Sequence, residues 1–326
     1  MRQLLLTLFV ICNCLSVFGQ SNNDSLKIWL AAAKNGDAKA QEKVGDYYYG
    51  IMDSLHSARQ KASKLILATY DKPEMENIAK AAKWYKKAAK QECADAQFKL
   101  GICYQSLLGS FSTKCIGWLT KAADNGHLKA MHKLGLDYCV DGDTKNDSTL
   151  IKKSFDYFHK AAILGYGPSQ YQLGEFYNRK CNYKEAFNWY QKSANQGYPN
   201  AMLALGHYYM SGTYIDADTN VAFSFYKQSA EKGNVYAKLE TGKCYYHGYG
   251  IEKDYEKAFQ IFSEVAELRD VSFLFLVIRN GEPQYYLGLC YEQGKGVEKD
   301  LNKAKDWYRQ SSWVAAKERL KILSKK

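Results

Sequence analysis

The segment Leu287-Gly288-Leu289-Cys290-Tyr291-Glu292-Gln293-Gly294-Lys295-Gly296-Val297-Glu298-Lys299-Asp300-Leu301-Asn302-Lys303-Ala304-Lys305-Asp306-Trp307-Tyr308 holds two helical signals and a turn between them. Gly-x-x-Tyr opens it and recurs at Gly45/Tyr48, Gly101/Tyr104, Gly135/Tyr138, Gly174/Tyr177, Gly206/Tyr209, Gly242/Tyr245 and Gly288/Tyr291. The residue before the glycine is Val44, Leu100, Leu134, Leu173, Leu205, Thr241 or Leu287. It stands four positions before the tyrosine, on one helical face.

A small residue, an aromatic three places on and a second small residue seven places on make the other signal. It reads Ala81/Trp84/Ala88, Cys115/Trp118/Ala122, Ser154/Tyr157/Ala161, Ala186/Trp189/Ser193, Ala222/Phe225/Ser229, Ala258/Ile261/Val265 and Ala304/Trp307/Ser311. That spacing also lies on one helix face. The glycine of the first helix is expected to admit the aromatic of the second, so small and large residues recur together. Between them, Gly248 to Asp254 and Gly294 to Asp300 read as turns. Glycine supplies the positive φ, Ile251 or Val297 is expected to tuck into the core, and Asp254 or Asp300 to cap the next helix.

The combined pattern, Ala-x-x-x-Leu-Gly-x-x-Tyr-x-x-Gly-x-Gly-Val-x-x-Asp-x-x-Lys-Ala-x-x-Trp-Tyr, resembles the Sel-one-like repeat, a relative of the tetratricopeptide repeat, over about Ser25 to Lys326. The resemblance implies an all-α fold, an α/α superhelical solenoid of about seven helix-turn-helix repeats, running as one right-handed superhelix over residues 25–326. Half-repeats close its ends: Leu26 to Lys34 resembles a lone second helix and Trp313 to Leu323 a lone first helix. The glycine-to-small spacing is 16 at Gly206/Ala222, Gly242/Ala258 and Gly288/Ala304, but 14, 19 and 12 in the three units before them. Two insertions interrupt the register. One, at about residues 51–77, carries an amphipathic stretch from Ser57 to Tyr70 and is expected to add a helix. The other, at about residues 268–279, contains the apolar run Val271 to Ile278.

Residues 1–19 read as a signal peptide, with Arg2, the apolar run Leu4 to Ile11 and, in Val17-Phe18-Gly19, small residues at the positions a signal peptidase reads. Ile11 and Asn13 precede Cys12 and Cys14 and make poor lipidation sites. The expectation is an exported chain, periplasmic or secreted, with no membrane span after cleavage. The 326 residues carry a net charge of +11, with 46% hydrophobic residues, which excludes a disordered chain. Lys83, Lys86, Lys87 and Lys90 read as a solvated basic helix face rather than a nucleic-acid site.

Catalytic patterns are sparse. No zinc-hydrolase motif, phosphate loop, dinucleotide fingerprint or nucleophile elbow occurs, so neither a cofactor nor a metal is expected. His127 and His132 lie five apart and read as helix histidines. Cysteine-rich secreted members of the family resembled are described as penicillin-binding or β-lactam-hydrolysing, and Ser224/Lys227 and Ser229/Lys232 match Ser-x-x-Lys. The partner motifs of such an enzyme, Ser-Asp-Asn and Lys-Thr-Gly, are absent, and Ser229 sits at the repeat's small position. The cysteines at 93, 103, 115, 139, 181, 244 and 290 are odd in number and read as mostly buried thiols.

By the resemblance, the first helix of each repeat presents residues just after the glycine and three before it to a concave groove. These are Tyr49, Phe98, Gln105, His132, Tyr171, Asn178, Leu203, His207, Met210, Tyr246, Tyr285 and Glu292. Such an aromatic, mixed-polar surface suits a protein or peptide. The expected function is a noncatalytic scaffold. The alternatives are a β-lactam or cell-wall hydrolase, and a secreted effector or adhesin acting on host proteins.

Overall fold

The computed structural model describes residues 21–62, 72–268 and 281–324. Among these described residues there are sixteen α-helices and no strand, in two compact units, Met1–Leu164 and Gly165–Lys326. The first unit holds α1 (Ser21–Lys34), then the pairs α2 (Ala38–Ala62) with α3 (Lys72–Ala89), α4 (Ala94–Leu108) with α5 (Thr113–Asp124), and α6 (Leu128–Lys145) with α7 (Ser148–Ile163). The second holds α8 (Gly167–Arg179) with α9 (Tyr183–Asn195), α10 (Pro199–Ser211) with α11 (Thr219–Glu231), α12 (Val235–His247) with α13 (Tyr255–Glu267), and α14 (Glu282–Gln293) with α15 (Leu301–Gln310). α16 (Val314–Leu323) follows. In each pair, helix A carries the repeat glycine and helix B the small-aromatic-small pattern.

The B helices start where a short polar side chain accepts their free N–H groups, as expected at two of them and found at six. Ser112, Asp147, Asn182, Asp218, Asp254 and Asp300 all cap in this way. Each such cap stabilises its helix by about 1 kcal/mol.

The residue that fills the space over the repeat glycine is not the expected one. A Cβ built on Gly45, Gly135, Gly174, Gly206 or Gly288 would collide with Tyr85, Phe158, Tyr190, Tyr226 or Tyr308, and on Gly101 it would come within 2.7 Å of Leu119. Each lies one residue after the aromatic expected there, and all are at most 4% exposed. At Gly242 both neighbours, Ile261 and Phe262, share the contact. Trp84, Trp118, Tyr157, Trp189, Phe225 and Trp307 are instead half-buried at the flank. Lys87, Lys121 and Lys192 lie over Trp84, Trp118 and Trp189 at 4.1, 4.7 and 4.1 Å. The small residues behave as expected: Ala81, Ala88, Cys115, Ala122, Ala186 and Ser193 are all fully buried.

In the turns after α12 and α14, Gly248 (φ 79) and Gly294 (φ 67) end the helix in the left-handed region. Gly250 (φ 69) and Gly296 (φ 71) then press against the carbonyls of Thr219 and Tyr255, at the first turn of the preceding repeat's helix B, where no side chain fits. After α10 the same place is held by Tyr214 (φ 70), whose ring lies 5.8 Å from Phe187. Val297 packs on the core, but Ile251 does not tuck in and is 38% exposed.

Residues 51–62 prolong α2, so this part of the first insertion continues helix A. Residues 63–71, residues 269–280 with the run Val271 to Ile278, and the leader at 1–19 lie outside the described residues. At the ends, Leu26, Trp29 and Leu30 of α1 pack with Val44 of α2, while Ala316, Leu320 and Leu323 of α16 join the core around Tyr286 and Tyr308.

Candidate functional site

Three positions on each helix A, three before, one after and four after the glycine, stand at i, i+4 and i+7 and therefore share a stripe. In the first unit the stripe on α2 is Glu42, Asp46 and Tyr49. Glu42 is buried and meets Lys99 at 2.6 Å, and Lys99 also reaches Asp46 at 2.8 Å. Tyr49 is half-buried against the α3/α4 core. On α4, Phe98 stacks on His127 with centroids 4.5 Å apart, and Gln105 donates to Ser110 Oγ at 3.0 Å. On α6, His132 lies 5.5 Å from the Phe158 ring. Burial, with Lys133 adding to it, pushes the His132 pKa down to about 4.

In the second unit the stripe begins on α8 with Tyr171, Glu175 and Asn178. Tyr171 packs 5.8 Å from Tyr190 and 5.5 Å from Tyr198, Glu175 accepts from the Tyr190 hydroxyl at 2.6 Å, and Asn178 accepts from Tyr208 of α10 at 2.8 Å. On α10 it continues as Leu203, His207 and Met210. Leu203 and Met210 are half-buried beside Ala222, Tyr226 and Cys244, and His207 between them is exposed, its Nδ1 3.0 Å from the Tyr226 hydroxyl.

Further along this unit the stripe closes. Tyr246, expected on the surface, is 5% exposed: it packs 5.6 Å from Tyr286, donates to Gln293 at 3.1 Å and lies beneath Lys295. Leu239 and Leu289, its counterparts at the other stripe positions, are also buried. Tyr285 is covered by Trp313 at 4.9 Å, and Glu292 is held by Tyr308 at 2.6 Å and by two nitrogens of Arg319 at 3.1 and 2.5 Å. The structure thus joins α8 to α10 through Asn178 and Tyr208, sets Leu203, His207 and Met210 on one face of α10, and gives Tyr171, Tyr246, Tyr285 and Glu292 internal partners.

The position directly after the glycine has a role the sequence reading did not assign. Asp46, Glu175 and His207 each meet the hydroxyl of the tyrosine packed on their repeat glycine, Tyr85, Tyr190 or Tyr226. Where that B-helix residue is Leu119 or Phe158, which bear no hydroxyl, the matching residue is Ile102 or Leu136. At Gly288 the arrangement differs: Leu289 follows the glycine and Tyr308 donates to Glu292 instead, so the pairing in the sequence is partial. Burial, reinforced at Tyr85 and Tyr190 by the facing carboxylate, holds these phenols protonated.

The other candidates resolve into packing. Ser229 is fully buried and its Oγ donates to the Pro199 carbonyl at 2.7 Å, as Ser193 does to Gly167 and Ser311 to Gly281. Ser224 is exposed and accepts from Gln228. His127 caps α6 through Nδ1 and meets Asp95 through Nε2 at 3.1 Å. Among the described residues no group of three His, Cys, Asp or Glu is placed to hold a metal. The seven cysteines are free thiols: Cys103, Cys115, Cys244 and Cys290 are buried, Cys93 and Cys139 half-buried, and Cys181 exposed.

The chain is similar in structure to a protective antigen of uropathogenic Escherichia coli, at 25% identity and a TM-score of 0.66, covering 91% of this chain and 57% of that one. It therefore spans little more than half of the antigen's length. A Sel1 repeat protein from Oxalobacter formigenes shares the fold at 23% identity and a TM-score of 0.58, with 95% and 93% of the two chains covered. None of the curated proteins matches the chain. The Sel1 repeat pattern matches residues 72–93, 94–127, 128–166, 167–198, 199–234, 235–270 and 284–312, and Sel1 repeats commonly build protein-interaction scaffolds. With six matches that each take in a helix pair and a seventh, 72–93, on α3 alone, together covering most of its length, the chain belongs to the Sel1 repeat family.

Proposed function

We propose that the chain is an exported, noncatalytic scaffold that holds a protein or peptide through the stripe on α8 and α10. The observation that carries this reading is the Leu203/His207/Met210 face, where an exposed imidazole stands between two half-buried apolar side chains on α10, the helix tied to α8 by the Tyr208–Asn178 bond. Contact area of this kind, fixed by its own packing, binds a segment with little ordering cost. The N-terminal pattern of Arg2 and Leu4 to Ile11 supports export. The described residues contain no helix long and apolar enough to cross a membrane.

The test places a photo-crosslinking side chain at His207 and, as a control, at the exposed Lys227 of α11. An adduct with the same envelope protein at position 207 and not at 227 is expected. Equal adducts, or none at 207, would remove the α8/α10 stripe from consideration. The mass of the chain recovered outside the cytoplasm should correspond to a start near Gln20. The effector or adhesin reading uses the same stripe, and is favoured only if the adduct forms with host rather than bacterial protein.

A further inference from the structure

From Ser21 to Leu164 the chain has 22 basic and 16 acidic residues, an excess of six. The three B helices, α3, α5 and α7, hold ten lysines and four acids, which is the whole of that excess. One of the four, Glu74, is buried against His56. The A helices neutralise themselves, through Lys39 and Lys99 with Glu42, Lys133 with Asp137 and Lys145 with Asp141. All ten B-helix lysines are exposed, and none forms an ion pair among the described residues.

Six of them are nevertheless held in place. Lys80 and Lys87, Lys114 and Lys121, and Lys153 and Lys160 lie 4.1 to 5.9 Å from aromatic ring centroids of their own repeat. The two lysines of each pair stand seven residues apart, about 10 Å along the helix, and the pair recurs in three successive repeats. The result is a two-by-three array of ammonium groups. The repeat does not require it: in the second unit the matching positions include Glu185, Val221, Gln228 and Glu264, on the same helix pairs.

We propose that this B-helix face docks on an anionic phospholipid surface. A surface meets both dimensions of the array, whereas a linear polyanion follows one row of it. The rings already carry ammonium groups, so they are poor platforms for stacking bases or sugars. Half-buried Trp84, Trp118 and Tyr157 among the lysines match the mixture of amphipathic rings and cations suited to a lipid–water boundary. Lysines already ordered over rings lose less freedom on docking. Each lysine brought to an anionic leaflet strengthens binding roughly fivefold.

The experiment is co-sedimentation of the full chain with vesicles of phosphatidylcholine alone or containing about a third phosphatidylglycerol, at low and high salt. The variant Lys80→Gln/Lys87→Gln/Lys121→Gln/Lys160→Gln is compared with Lys257→Gln/Lys303→Gln, which removes two ring-covering lysines from the second unit. The expected result is salt-sensitive binding to anionic vesicles alone, weakened by roughly two to three orders of magnitude in the fourfold variant and retained by the control. If circular dichroism shows that the fourfold variant is unfolded, Lys83→Gln/Lys86→Gln/Lys152→Gln, three exposed lysines outside the ring-covering set, takes its place, with a loss on the order of a hundredfold. Equal binding by folded variants, or binding to neutral vesicles through the apolar run Leu4 to Ile11, would overturn the proposal. Lysine-dependent binding to single-stranded DNA or heparin without vesicle binding would overturn it in favour of a soluble polyanion.

Discussion

Replacing Gly206 by alanine inserts one methyl group between α10 and α11, where the Tyr226 ring is fully buried and tied to His207. In an exposed helix the same change would stabilise by about 0.5–1 kcal/mol, because glycine loses more backbone freedom on folding. Here the ring must shift, at about 1–3 kcal/mol for overpacking, and its hydroxyl bond, worth about 1 kcal/mol, is strained or lost. The net expectation is destabilisation by about 2 kcal/mol, a fall in melting temperature of roughly 4–8 °C for a unit of this size. Gly117 is the internal control: it lies in α5, is exposed, and an added Cβ meets nothing within 4 Å, so Gly117→Ala should be neutral or stabilising. Thermal and urea melts followed by circular dichroism measure both. In the double variant Gly206→Ala/Tyr226→Ala, where the ring that the methyl group meets is gone, the loss should be smaller than the sum of the two single losses. Equal melting temperatures for Gly206→Ala and Gly117→Ala would refute the close-approach account of the repeat glycine.

Ser229→Ala should cost about 1 kcal/mol by removing the Oγ bond to the Pro199 carbonyl; lost β-lactam hydrolysis at unchanged stability would instead make Ser229 a nucleophile. The His132 pKa of about 4 lies below the ordinary histidine value, so the unfolded chain binds the proton more readily. The stabilisation is therefore complete above about pH 6.5 and lost as pH falls towards 4, by on the order of 2–3 kcal/mol. Urea midpoints across that range should show His132→Leu losing less stability on acidification than the wild type, and parallel losses would exclude His132 as the cause. Burial raises the thiol pKa of Cys103, Cys244 and Cys290 to about 12 and that of Cys115 to about 11. A thiol reagent in native buffer should therefore label Cys181 first and these four only on unfolding; early labelling of Cys244 would contradict its burial.

The repeat glycines, the capping aspartates and the terminal half-repeats were all legible in the sequence, because each is a local signal. Which of two adjacent bulky residues enters the core was not. Trp84 and Tyr85 stand three and four places after Ala81, on either side of the line joining Ala81 to Ala88, and helical spacing permits both. Packing against Gly45 chooses Tyr85, and the polar partner after the glycine, Asp46, marks the choice. On α12 and α14 the residues expected at the groove, Tyr246, Tyr285 and Glu292, take internal partners instead. There the closure comes from Tyr286, Trp313 and Arg319, which no single repeat contains.

The seating of Gly250 and Gly296 on the preceding repeat also governs where this chain can change length. In the three repeats from Gly206 onward, the aspartate that ends the turn bonds back to the carbonyl of the repeat tyrosine: Asp218 to Tyr209, Asp254 to Tyr245 and Asp300 to Tyr291, at 2.9, 3.0 and 2.9 Å. A turn closed at both its own tyrosine and its neighbour's helix has a set number of residues, and these are the three with the constant spacing of 16. The turns that vary, and the long insert after Gly45, occur in repeats without that seven-residue turn from glycine to aspartate. Epitope tags or grafted loops therefore belong in the turn after Gly109, while one residue added between Gly248 and Asp254 would lift a turn from the helix it rests on.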